Sequence, residues 1–242
     1  MPRRSSLIAI TLRLREDLSV LRFGRPVYHV YNPLTYAWAS HRQYLARFGK
    51  GQHKMLIVGM NPGYFGMVQT GVPFGDVTMV RDWLGLTGRV RRPPNEHPKR
   101  PIEGFACQRR EISGDRLWGW ARERFGVPER FFEYFFVLNY CPLCFLGKSG
   151  ALLTPDKLPA KERERLFAAC DRALLAAADA VGARYAIGLG RFAERRVVEV
   201  LGETTICGGA PHPSPANARG SRRWAAEMNR ALGALGLRLT AT

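Results

Sequence analysis

The stretch "MLIVGMNPGYFGMVQTGVPFGD", residues 55–76, opens with an apolar run, Met55–Gly59, and passes straight into a loop dense in Gly, Asn and Pro. A short apolar run bounded by turn residues reads as a buried strand. The loop holds no Lys, no Arg and no carboxylate before Asp76, although the chain carries a formal net charge of +17. Two nucleotide-binding motifs are excluded by spacing. G-x-G-x-x-G is absent, because Pro62 stands between Gly59 and Gly63, and no Gly-Lys-Ser/Thr follows. Pro62 removes a backbone donor and keeps Asn61 out of the helical region. Asn61 is therefore either an ordinary turn residue or an amide presented from a fixed turn. Phe65 and Phe74 suit a core, but Phe74, between Pro73 and Gly75, equally suits a flat wall for a planar ligand.

Outward from this stretch, three more short apolar runs read as strands: Phe135–Leu138, Tyr185–Leu189 and Thr205–Cys207. Helical patterns separate them: "RLWGWARERFG" after Asp115, "RERLFAACDRALLAAADAVG", "GRFAERRVVEVLG" and the closing "SRRWAAEMNRALGALG". Alternating strands and helices argue for an α/β fold, a parallel sheet covered on both faces. In such sheets ligands gather in loops beyond the carboxyl ends of the strands. Three unusual loops fall there: after Gly59, after Leu138 and after Cys207. In the second, "FFVLNYCPL", Asn139 ends an apolar strand, where its amide can cap a turn or read the donor–acceptor edge of a base. In the third, "GGAPHPSPANARGSRRW", three prolines stiffen the chain around His212, and the helix start near Ser221 offers N–H groups to a phosphate. His29, His41, His53 and His97 lack such a setting and read as structural.

The chain has 242 residues, of which 46% are hydrophobic, as expected of one domain spanning residues 1–242. Residues 1–20 are expected to form an N-terminal helix, since Leu7, Ile8, Ile10, Leu12, Leu14 and Leu18 follow helical spacing. Charges break that segment, which argues against a secretory signal, and no apolar run is long enough to span a membrane, so the expectation is an intracellular protein. Basic residues number 37, of which 31 are Arg, against 20 acidic ones. Together with an isoelectric point near 10.4, this points to a nucleic-acid partner. The Pro-rich basic segment Arg89–Arg100 reads as an exposed loop. Thr154 is expected to cap a helix with Pro155 at its first position and Lys157 to Arg163 continuing it. "CPLC", residues 141–144, has the form of a metal or redox pair, but Cys107, Cys170 and Cys207 are singletons and supply no second pair. The cysteines therefore read as structural, with no metal site.

The chemistry these loops offer is narrow: two amides, an imidazole, an aromatic face and a rigid wedge. It lacks a carboxylate pair and a Ser-His-Asp set. Such a set suits a reaction that needs strong leaving-group stabilisation and little nucleophile activation. Cleavage of a pyrimidine N-glycosidic bond is one. Positive charge develops on the sugar and negative charge on the departing base, where an imidazole can stabilise it. The base must first leave the stack and enter a pocket.

"GMNPGYFGMVQTGVPFGDVTMVRDWLG", "NYCPLCFL", "LTPDKLPAKERE" and "HPSPANAR" together resemble the single-strand-selective monofunctional uracil-DNA glycosylases, from about Leu18 onward. The resemblance implies a three-layer α/β/α fold around a central four-stranded parallel sheet. It implies excision of uracil and 5-hydroxymethyluracil from single- and double-stranded DNA, with no cofactor, no metal and no lyase step; a monomer is expected. By motif, Asn61 would position the water and His212 would stabilise charge on uracil O2. Asn139 would bind the N3/O4 edge and Phe74 would stack on the base. Met60 and Gly63 would line the pocket and hold a water near C5. The stretch Pro213, Ser214, Pro215, Ala216, Asn217 to Arg219 would be the wedge entering the duplex. Family members commonly carry Pro or a small residue in place of Tyr64, which is therefore expected beside the base, altering pocket shape. They commonly carry Arg where this chain has Ala216, which weakens the expected duplex insertion. Two alternatives stand beside this reading: a glycosylase for xanthine or hypoxanthine, and a non-catalytic DNA-binding protein on the same scaffold.

Overall fold

The computed structural model describes residues 6–215 and 224–237. Helix α1 (Leu7–Ser19), capped by Ser6, is followed by β1 (His29–Tyr31), α2 (Pro33–Tyr36), α3 (Trp38–Phe48) and β2 (Met55–Gly59). Next come α4 (Met67–Thr70), a π-helical turn (Met79–Trp83), α5 (Ile112–Phe125), α6 (Pro128–Phe132) and β3 (Phe135–Asn139). The short strands β4 (Cys144–Leu146) and β5 (Leu152–Leu153) precede α7 (Ala160–Val181), β6 (Tyr185–Leu189), α8 (Arg191–Leu201), β7 (Ile206–Ala210) and α9 (Trp224–Ala234).

Strands β3, β2, β6 and β7 form, in that order, a four-stranded sheet that is parallel throughout. Its middle strand β2, "MLIVG", is buried at every residue, as a strand covered on both faces must be. Helix α8 packs on β6 and β7 and against α7, and α7 packs on α1; α5 packs against α6 and α9. Two neighbouring glycines of β7 show the two covering layers. A side chain at Gly209 would strike Glu194 of α8, and one at Gly208 would strike Leu235 at the end of α9. Beneath α5 and α6 the core is aromatic, with Phe48 stacked on Phe132 at 4.1 Å and Phe131 on Phe135 at 5.1 Å. A small antiparallel sheet, β1-β4-β5, sits apart. It takes up Cys144, while Cys141 and Cys170 are buried free thiols.

Several boundaries differ from the sequence reading. Strand β7 runs on to Ala210, past the expected Cys207, because parallel pairing with β6 continues to Leu189↔Ala210 in spite of the two glycines. Helix α5 starts at Ile112, before Asp115, with the Glu111 side chain capping it. Thr154 makes no side-chain cap; Pro155–Lys157 is a single 3-10 turn, and α7 begins only at Ala160, after Pro159. A proline cannot supply the N–H that would join the two, so the expected continuous helix is divided there. His97, inside the largely exposed Arg89–Arg100 loop, is buried, with Nε2 3.1 Å from the Lys148 carbonyl.

His41 is buried on α3 and its Nδ1–H donates to the Gly71 carbonyl at 2.7 Å, tying the helix to the loop after α4. Burial lowers its pKa from 6.5 to about 4. The unfolded chain takes up this proton near pH 6.5 and the folded chain only near 4, so stability falls as pH drops through that window. The full shift corresponds to roughly 3 kcal/mol. His41→Asn, which keeps a donor near the Nδ1 position, should flatten the pH dependence of urea-unfolding midpoints over this window. An unchanged slope would remove His41 from the account.

Candidate active site

The site is built where the loops leave the carboxyl ends of the strands. Beyond the last rung of β2 and β3, Gly59↔Asn139, the two chains stay joined: Tyr140 N–H donates to the Gly59 carbonyl at 2.8 Å and Cys141 N–H to Met60 at 2.9 Å. Gly190 N–H donates to Ala210 at 2.8 Å and ties the start of α8 to the end of β7 in the same way. The three loops converge on one cavity of about 310 Å³, at the small end of ligand sites. Asn61, Gly63, Phe74, Asn139 and His212 all line it, with Met60 and Ser214.

Gly59 makes this convergence possible. A Cβ there would lie 2.4 Å from Asn139 Oδ1 and 2.6 Å from the tip of the Phe74 ring. The amide and the ring thus share the space above one glycine. Asn139 Nδ2 donates to the Met67 sulfur at 3.3 Å, a weak acceptor that a carbonyl oxygen can displace. Phe74 has φ +53°, the sole non-glycine residue with positive φ among the described residues. Such a conformation persists only where its surroundings hold it. The Phe74 carbonyl accepts from Trp118 Nε1 at 3.0 Å and from Asp76 N–H at 2.9 Å, and it presses so close to Gly114 that a Cβ there would lie 1.9 Å away.

Asp76, fully buried, locks the far end of the loop. Its carboxylate accepts from Met79 N–H at 3.1 Å, Glu111 N–H at 2.9 Å and the Arg110 guanidinium at 3.0 Å. Glu111 in turn caps α5, accepting from Gly114 N–H at 2.5 Å and Ser113 N–H at 3.3 Å. Burial raises its pKa. Its carboxylate approaches Gly63 so closely that a Cβ there would lie 3.3 Å from Oε1.

His212 stands 6.0 Å from the Phe74 ring, centroid to centroid. Burial lowers its pKa to about 4, so the ring is neutral at physiological pH. Its Nδ1 accepts from the Ser214 N–H at 3.1 Å. An acceptor Nδ1 in a neutral imidazole leaves the proton on Nε2, which makes Nε2 a donor. The loop is pinned on both sides, by Trp224 Nε1 donating to the Pro211 carbonyl at 2.7 Å and by Arg116 donating to the Pro213 carbonyl at 2.8 Å.

Tyr64 departs from expectation: it does not line the cavity. Its ring packs with Tyr31, Tyr36 and Ile102 in a second cluster, and its hydroxyl donates to the Pro101 carbonyl. Pro213 is buried and Pro215 exposed at the base of the expected wedge. Ala216, Asn217 and Arg219, and the helix start at Ser221, lie outside the described residues. Met67, Glu111, Ser113 and the edge Leu152–Thr154 also line the cavity, none of them expected there from sequence. The one available signal was Glu111 ahead of a helical pattern, obscured by placing the start of that helix after Asp115. No helix among the described residues is long and apolar enough to cross a membrane.

Residues 46–235 match the family model described as the uracil DNA glycosylase superfamily. The chain is 49% identical over 229 residues to the single-strand selective monofunctional uracil DNA glycosylase of Mus musculus, an alignment covering 93% of this chain and 82% of that protein. The bovine (Bos taurus) protein of the same name is 48% identical over 229 residues, covering 93% and 84%. Among solved structures, the crystal structure of WT Pedobacter heparinus SMUG2 superposes with a TM-score of 0.61 at 18% identity, covering 94% of this chain and 98% of that one, a likeness in fold. With its four-stranded parallel sheet and its loops gathered at one cavity, the chain belongs to the uracil DNA glycosylase superfamily and, within it, to the single-strand selective monofunctional uracil-DNA glycosylases.

Proposed function

We propose that this protein excises uracil from DNA by hydrolysing the N-glycosidic bond, leaving an abasic site. The observation that carries the reading is His212: a half-buried, neutral imidazole with Nδ1 engaged by the Ser214 N–H, lining one cavity with Asn61, Phe74 and Asn139. A neutral Nε2–H donor beside the base stabilises negative charge on O2 as the bond breaks. It needs no proton transfer, and the low surrounding dielectric strengthens the bond. Asn61, held beside Pro62, positions the attacking water. The developing cation on the sugar asks little of that nucleophile.

The extruded base stacks on Phe74, and its N3–H and O4 meet the Asn139 amide. In that exchange O4 takes the Nδ2 donor now resting on the Met67 sulfur. Cytosine presents the reversed pattern and leaves buried donors facing each other. The C5 edge then faces the Met60 and Gly63 side of the cavity, where a displaceable water accounts for acceptance of 5-hydroxymethyluracil and rejection of thymine. The loop from Pro213 to Arg219 enters the stack as the base leaves. The enzyme acts as an intracellular, single-domain monomer without a cofactor. Since Tyr64 does not line the cavity and its hydroxyl donates to the Pro101 carbonyl, its bulk gives no support to a shift toward xanthine or hypoxanthine.

Asn61→Ala and His212→Ala should each slow single-turnover uracil release by about a hundredfold to a thousandfold, with binding to an abasic-analogue oligonucleotide retained. A wild-type single-turnover rate in His212→Ala contradicts the mechanism. Phe74→Ala should weaken binding to a cleavage-resistant fluorinated deoxyuridine site by the roughly 1–3 kcal/mol that base stacking contributes, leaving abasic-site affinity unchanged. Equal losses for both probes would assign Phe74 to the core alone.

A further inference from the structure

The basic segment before α5 lines no part of the cavity, yet its carboxyl end runs directly into Glu111 of the cavity wall. Residues 89–110 hold seven basic side chains and two acidic ones, Glu96 and Glu103. The segment is fixed in place. Arg91 N–H donates to the Tyr36 carbonyl at 2.8 Å and the Tyr31 hydroxyl to the Arg100 carbonyl at 2.6 Å. The buried Gln69 accepts from Glu103 and Gly104 N–H at 2.8 and 3.0 Å. Its carboxyl end reaches the cavity wall: Arg109 and Arg110 run directly into Glu111, and Arg109 stacks on Phe65, two residues beyond Gly63.

Two guanidinium groups lie over this aromatic pair. Arg100 sits 4.9 Å over Tyr64, and Arg109 sits 4.6 Å over Phe65, whose ring meets Tyr64 edge-on at 4.8 Å. Stacking pre-orders each guanidinium while leaving N–H edges available to phosphate oxygens. Arg110 is already occupied by Asp76 and Asp115. By contrast, Arg89, Arg91, Arg92, Lys99, Arg100 and Arg109 form no ion pair among the described residues. Unneutralised cations, two of them stacked on rings whose chain neighbour Gly63 lines a base-sized cavity, match the chemistry of an unpaired strand.

We propose that the segment Arg89–Arg109, with Tyr64 and Phe65 beneath it, is a track for the backbone of single-stranded DNA leading to the cavity. This rests on the reading that the cavity receives a base from DNA. The track gives Tyr64 a role away from the base: it supports Arg100. It also supplies phosphate contacts that do not depend on the loop after β7.

The test compares two triple variants that each remove three charges. Arg91→Gln/Arg92→Gln/Arg109→Gln strips the track. Lys50→Gln/Arg122→Gln/Arg130→Gln strips exposed sites toward the amino ends of the strands. Each is titrated against a labelled single-stranded oligonucleotide bearing a tetrahydrofuran abasic analogue, across a range of salt. The track variant should lose affinity on the order of tenfold or more at 0.1 M salt, and its log–log salt slope should become shallower by about two, at roughly 0.7 per lost contact. The control variant should keep the wild-type slope, and uracil release at saturating enzyme should stay at the wild-type rate in both. Equal effects in the two variants, or a wild-type slope in the track variant, overturn the proposal. If the wild-type enzyme releases no uracil but the slope still separates the variants, the track stands and the reading of the cavity falls.

Discussion

Gly59 is the point on which the site depends, because atoms from two of the cavity loops occupy the place its side chain would fill. Parallel pairing brings Gly59 level with Asn139 at the end of the sheet. The missing Cβ lets the Asn139 amide and the Phe74 ring meet there. The sheet thus sets the height of the amide, and the glycine sets its distance from the ring. Substituting even alanine would push the Asn139 amide and the Phe74 ring out of the positions they share above this residue.

The remaining geometry is held by buried polar anchors. Asp76 joins the first loop to the start of α5, and Trp118 and Gly114 hold Phe74 in its left-handed conformation. Trp224 and Arg116 grip the loop that carries His212. Each anchor ends on a backbone group, so the site is set by main-chain positions and the functional side chains add little of their own flexibility. This also explains how a chain of net charge +17 keeps an almost uncharged cavity. Among the described residues no Lys or Arg lines the cavity, and desolvation keeps the imidazole inside neutral.

The central strands were legible because strands buried on both faces are continuously apolar, and "MLIVG" and "FFVLN" have no other plausible use. The three loops were legible because Pro, Gly, Asn and His in fixed order are chemically conspicuous. What escaped has physical causes. Strand β7 was read short because "ICGGA" has little strand propensity of its own; its glycines are required by Glu194 and Leu235 packing on its two faces. The side chain of Tyr64 turns toward Tyr31, Tyr36 and Pro101, partners distant in sequence that no local pattern reveals. Glu111 is inconspicuous in sequence because its role as a cap follows from the start of α5 at Ile112, and its place in the wall follows from a contact with Gly63 across the fold.

The proposed stabilisation of the departing base turns on the protonation state of one ring. Nitrogen NMR of the His212 imidazole should show an unprotonated Nδ1 and a protonated Nε2 throughout the neutral pH range, with titration only near 4. An imidazolium at neutral pH, or a neutral ring with its proton on Nδ1, would contradict the claim that a pre-set Nε2–H donor stabilises the departing base.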